Sequence, residues 1–143
     1  VPKATPGQIE TMRRQAKAEL PPRLAQLAAR YGFSYNRVTI KHNSTNWGSC
    51  SARNNINLNL NIVRLPAPLR DYILFHELCH LRQHDHGHAF HLLLEHLATD
   101  NLLALCDEGD PDARTLSRTA AASNAQYPID HVCSKALKAY PLI

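Results

Sequence analysis

The stretch Leu69-Arg70-Asp71-Tyr72-Ile73-Leu74-Phe75-His76-Glu77-Leu78-Cys79-His80-Leu81 decides how this chain is read. It is helix-permissive and apolar almost all round, which predicts a buried helix. Pro66 and Pro68 suit its first turn, where a missing N–H costs nothing, and Asp71 suits the positive end of the helix dipole. On such a helix His76 and His80 lie one turn apart and aim their imidazoles at a common point, with Glu77 projecting beside it. Two histidines and a glutamate among apolar side chains are unfavourable unless a metal or hydrogen bonds compensate them. A zinc ion fits: two imidazoles satisfy it in part, and the adjacent carboxylate is placed to hold and deprotonate a water.

A catalytic zinc keeps three protein ligands and one open position, so a third ligand must follow. Seven of the nine histidines fall between His76 and His96, and His84, His86, His88, His91, Glu95 and His96 are the candidates. On a continued helix His84 would stand about 12 Å along the axis from His76, too far to share an ion. Asp85 and Gly87 signal a reversal after Arg82 that carries His86 back over the metal, so His86 is the expected ligand. Glu95, on the next helix, is the alternative. The interval from His80 to His86 is the metzincin one, but Gln83 replaces the turn glycine and the only methionine, Met12, lies upstream, which excludes that subclass. Residues 88–98 place Phe90, Leu93, Leu94 and Leu97 on one helical face, predicting a helix packed on the metal helix. His88, His91 and Glu95 fall on another face, solvated or supporting a ligand imidazole.

Upstream, residues 55–62 alternate strictly, with Asn55, Asn57, Asn59 and Asn61 on one side and Ile56, Leu58, Leu60 and Ile62 on the other. This predicts a half-buried strand whose polar side meets water or a ligand. In zinc peptidases a strand before the metal helix commonly pairs with the substrate main chain, so Asn57, Asn59 and Asn61 are the expected substrate-binding residues. Residues 35–42 and 47–51 predict two further strands in a mostly antiparallel sheet. Before them, residues 7–19 and 22–30 read as two helices, broken at Pro21-Pro22 and stopped by Gly32. A final short helix is expected over 130–139.

The chain has 143 residues, 44% of them apolar, which bounds it to a single α+β domain. It has no apolar run near the roughly 18 residues of a membrane helix and no secretion-signal pattern. Cys50, Cys79, Cys106 and Cys133 form no Cys-x-x-Cys pair, which argues against a zinc ribbon or a disulfide framework and for reduced thiols of a cytoplasmic protein. Residues 1–75 carry eleven Lys/Arg against three Asp/Glu, and residues 76–143 five against nine. The two halves either attract each other or leave a polyanion site.

The strings Trp47-Gly48-Ser49-Cys50-Ser51, Asn55-Ile56-Asn57-Leu58-Asn59, Leu65-Pro66, Asp71-Tyr72, His76-Glu77-Leu78-Cys79-His80-Leu81 and His86-Gly87-x-x-Phe90 occur in this order. They resemble the YgjP-like metallopeptidase family, relatives of the SprT-like proteases, from about Pro22 to Ala98. Residues 134–138 resemble that family's C-terminal helix. The resemblance implies a minimal zincin-like domain over 1–143, with a core at about 22–98, an insertion at 100–131 and a C-terminal helix at 132–143. It implies zinc held by His76, His80 and His86, with Glu77 as catalytic base. Asn46 departs from an Arg frequent before Trp-Gly-Ser, and His91 from a Trp common after the Phe.

The expected function is zinc-dependent hydrolysis of a peptide or protein substrate. His42 and Trp47 are candidate oxyanion donors. The alternatives are a zinc-stabilised protein- or nucleic-acid-binding module using Arg13, Arg14, Lys17, Arg30, Arg37, Lys41 and Arg53, and a latent protease covered by its C-terminal segment.

Overall fold

A capping box opens the first helix, α1 (Pro6–Tyr31): Gln8 N–H donates to Thr5 Oγ1 at 3.1 Å, and Thr5 N–H donates to Gln8 Oε1 at 2.8 Å. The structure, a computed structural model, describes residues 3–143. Gly32, at φ 75°, ends α1 in the left-handed conformation that glycine adopts without a Cβ penalty. The two expected helices are one, with Pro21 and Pro22 inside it. Each internal proline costs about 3 kcal/mol. Against that, Ala16, Leu20, Leu24, Leu27 and Ala28 form one buried stripe, and each buried leucine contributes about 1.5–3 kcal/mol. A break at Pro21 would take the second half of that stripe off the core.

Three strands follow: β1 (Arg37–Lys41), β2 (Gly48–Cys50) and β3 (Asn55–Asn59), in spatial order β1-β3-β2. β3 is antiparallel to β2 and parallel to β1. The mostly antiparallel expectation therefore holds for one pair of two. The chain reverses after β1 and again after β2, so β3 runs with β1, and by lying between the other two it pairs with both. Ile40, Ile56 and Leu58 turn into the core.

The expected strand over 55–62 stops at Asn59, and Leu60–Arg64 forms a 3-10 turn. Asn59 causes the change: its Oδ1 accepts Asn61 N–H at 2.9 Å, and its Nδ2 donates to the carbonyls of Asn43 and Asn46 at 2.9 and 3.0 Å. A side chain that caps a turn this way competes with continuation of the strand.

The metal helix of the sequence reading is α2 (Ala67–His80), followed by α3 (His88–Asp107), α4 (Pro111–Ala121) and α5 (Pro128–Leu137). Asp71 lies in the second turn of α2 and is spent on Arg23 of α1 rather than on the helix dipole. The boundary expected near residue 100 falls inside α3, and the region read as an insertion is largely helical. Among the described residues, five α-helices and a three-stranded mixed sheet make the fold α+β. No helix among the described residues is long and apolar enough to cross a membrane.

Candidate metal centre

α2 ends at His80, and the chain turns back at once: the N–H groups of Arg82 and Gln83 both donate to Cys79 O, at 3.1 and 2.9 Å. Asp85 Oδ1 accepts Gly87 N–H at 3.1 Å and shapes the rest of the reversal. The turn brings His86 over α2, with its ring centroid 4.6 Å from that of His80 and 5.2 Å from that of His76. One donor atom from each of His76, His80 and His86 lies within 4.8 Å of the others. Phe90, fully buried at the start of α3, packs against all three rings with centroids 4.5–5.0 Å away.

The donors suit a metal. His80 Nδ1 stands 3.1 Å from the Gln83 carbonyl, an acceptor that places the ring hydrogen on Nδ1 and leaves the Nε2 lone pair free. That Nε2 faces His86 Nε2 at 3.0 Å, an arrangement that a shared cation resolves. Burial, then repulsion from His80, His76 and His91, lowers the His86 pKa, favouring the neutral imidazole that coordination requires. Glu77 is buried, with Oε2 3.2 Å from His76 Nδ1. A Cβ on Gly48 would stand 3.0 Å from both Glu77 Oε2 and the Asn57 carbonyl, so β2 approaches Glu77 only because residue 48 has no side chain.

A cavity of about 550 Å³ opens beside this cluster, lined by Trp47, Gly48, Tyr72, Ile73, His76, Glu77 and, from the C-terminal segment, Leu137, Lys138 and Tyr140 to Leu142. A second, of about 410 Å³, shares Tyr72, His76 and Ser134 with it and extends to His91, Tyr127 and Asp130.

The other expected residues lie elsewhere. β3 is paired on both edges, so Asn57 and Asn59 offer no main-chain edge to a substrate, and Asn61 lies beyond the strand in the 3-10 turn. Asn59 and Asn61 are buried in structural hydrogen bonds: Asn61 Nδ2 donates to Ile143 O at 3.0 Å, and its Oδ1 accepts Ile143 N–H at 3.1 Å. Asn57 Nδ2 donates to Ser49 Oγ at 3.1 Å. The outer edges of β1 and β2 remain unpaired among the described residues, and β2 is the one that approaches Glu77. Glu95, the alternative ligand, accepts Ile129 and Asp130 N–H at 2.9 and 2.8 Å and so caps α5. His84 is exposed on the turn. His42 Nε2 stands 2.8 Å from Ile143 O, while Trp47 lines the cavity. Tyr72, Asp130 and the close approach of Gly48 escaped the sequence reading, although Gly48 and Tyr72 stand within the strings that carried the resemblance.

Over residues 5–101 the chain matches the family model described as YgjP-like, metallopeptidase domain. No curated protein and no solved structure matches it.

Proposed function

The chain belongs to the YgjP-like metallopeptidase family, and on that footing we propose that it hydrolyses peptide bonds with zinc held by His76, His80 and His86 and with Glu77 as general base. The observation that carries this reading is the convergence of three imidazole donors within 4.8 Å, beside the buried carboxylate of Glu77, which shares α2 with His76 and His80. Three nitrogen ligands suit zinc among the common divalent ions. Bound zinc supplies Lewis acidity, polarising the scissile carbonyl and acidifying water. Glu77 takes the proton released as water attacks the carbonyl carbon. It returns that proton to the amine as the C–N bond breaks, leaving one carboxylate and one amine. The open edge of β2 at Gly48–Cys50 aligns an extended substrate as an added strand, the role expected of β3.

Metal analysis of protein purified without chelator tests this reading together with cleavage of a fluorogenic peptide library. One zinc per chain is expected, and Glu77→Gln should keep it while turnover falls roughly 10²–10⁴-fold. A chain that takes up no zinc, or a Glu77→Gln variant at the parental rate, overturns it.

One observation favours a second reading, in which the C-terminal segment restricts entry. Tyr140, Pro141 and Leu142 line the same cavity, and Arg64 Nη1 holds the Pro141 carbonyl at 2.7 Å. Removal of residues 140–143 then raises kcat/KM on short peptides. An unchanged or lower value leaves the segment as a wall of the site.

A further inference from the structure

The cavity of about 550 Å³ beside the metal centre carries one Lys or Arg on its wall, Lys138. The neighbouring cavity of about 410 Å³ carries none. His76 borders both, so a peptide laid across the centre passes from a side with a lysine to a side without one. Lys138 is exposed, and its ammonium enters no ion pair among the described residues.

The backbone at Lys138 is fixed from both directions. Its N–H donates to Lys135 O at 3.2 Å and closes α5, whose other end is capped by Glu95. Beyond it, Tyr140 N–H donates to Leu137 O at 2.9 Å, and the Pro141 carbonyl accepts from Arg64 Nη1 at 2.7 Å. Much of the remaining wall is apolar, with Trp47, Ile73, Leu137 and Leu142 on it. The one carboxylate there, Glu77, is buried beside His76. A lysine on such a wall lays its methylenes along apolar surface and keeps its charge in water at the rim. The methylenes of a substrate side chain fit the same surface, and a carboxylate at their end meets an ammonium that has no other ionic partner. A substrate ammonium or guanidinium meets repulsion there, so the same lysine selects against basic residues.

We propose that Lys138 makes this cavity a carboxylate-recognising subsite, so that the chain acts on acidic peptides whose carboxylate lies on one side of the scissile bond. This substrate class rests on the peptidase reading above. The carboxylate belongs to an acidic side chain or to the terminus of a short peptide. An exposed ion pair of this kind is worth up to about fivefold in binding, and salt weakens it.

The test gives the zinc-loaded full chain internally quenched peptides that differ at a single position, Glu against Gln against Lys, on either side of the cleaved bond. A matched set of short peptides ends in a free carboxylate or an amide. Parent, Lys138→Met and Lys138→Glu are compared by the ratio of kcat/KM within each pair, which cancels any general loss of active protein. In the parent at low salt, Glu should exceed Gln about fivefold on one side of the bond only, or the free terminus should exceed the amide by that factor. Sodium chloride at about 0.5 M should bring either ratio toward one. Lys138→Met should abolish the ratio at low salt, and Lys138→Glu should invert it and favour Lys over Gln. Trp47, the one tryptophan of the chain, lines the cavity, so its fluorescence reports binding without turnover. The dissociation constants of Glu77→Gln for the same peptides should show the same ratios.

A parent that cleaves the Glu and Gln peptides equally, and the two termini equally, overturns the subsite and leaves the peptidase reading in place. So does a preference that Lys138→Met retains. A parent that cleaves nothing, while Trp47 still reports the ratio that depends on Lys138, overturns hydrolysis and leaves the carboxylate site standing. Absence of both cleavage and that ratio overturns the two together.

Discussion

Arg23 closes on Asp71 with two parallel hydrogen bonds, Nε to Oδ1 at 2.9 Å and Nη2 to Oδ2 at 2.6 Å. The pair ties α1 to α2 one turn before His76, and Asn101 of α3 adds a third bond to Oδ2 at 2.9 Å. Three helices thus meet on one carboxylate, which fixes the axis along which His76 and His80 are presented.

Replacing Arg23 with Met leaves the Asp71 charge, 3% exposed, with an amide as its remaining side-chain partner. Breaking a fully buried pair costs about 3–5 kcal/mol; the Arg23 side chain is 27% exposed, so a loss of about 2–3 kcal/mol is expected. Urea unfolding measures it. The double variant Arg23→Met/Asp71→Asn should regain part of that loss, since no charge is then stranded. An unchanged midpoint in the single variant contradicts the clamp.

Gly48→Ala tests the contact between β2 and Glu77. Its Cβ would stand 3.0 Å from the Asn57 carbonyl and 3.0 Å from Glu77 Oε2. The backbone of the central strand cannot yield easily, so the Glu77 carboxylate must move. A displacement of about 1 Å at a reacting group costs roughly 10²-fold in rate, and that loss in kcat/KM is expected with zinc content unchanged. Gly7→Ala, where a Cβ meets only ordinary contact at 3.9 Å, is the control and should leave activity at the parental level. Equal activities in the two variants would show that Gly48 is not needed for the approach.

What was legible in the sequence was local. α2 could be read because its apolar surround and the turn residues Asp85 and Gly87 all lie within a few residues of the histidines they position. The sheet was less legible: strand direction follows from which strand sits in the middle, and the Asn alternation continued past Asn59 although that side chain had already turned the chain. Pro21 and Pro22 misled for a related reason, since the stripe that carries α1 through them is set by packing on the core. Asp130 was out of reach because it meets His91 across 39 residues of sequence.

Glu95 separates the alternative ligand from the structural cap. Both of its oxygens accept N–H groups at the start of α5. Glu95→Ala should cost about 1–2 kcal/mol in thermal or urea unfolding, as loss of a helix cap does. It should leave one zinc per chain. Loss of the metal with stability intact would return Glu95 to the role of ligand and remove His86 from it.

The Cys133 thiol gives the stability an alkaline limit. Burial pushes its pKa up to about 12, with the Asp130 and Glu95 charges adding to the shift, whereas an unfolded cysteine titrates near 8.5. The folded chain therefore holds a proton that the unfolded chain releases as pH rises above about 8.5. The stabilisation is complete below that value and is lost progressively toward about 12. The urea midpoint of the parent should fall between pH 8 and pH 11. Cys133→Ala should start lower at neutral pH, because a buried group has been removed, and then decline less steeply. Parallel slopes in parent and variant would show that Cys133 ionises as readily in the folded chain as in the unfolded one.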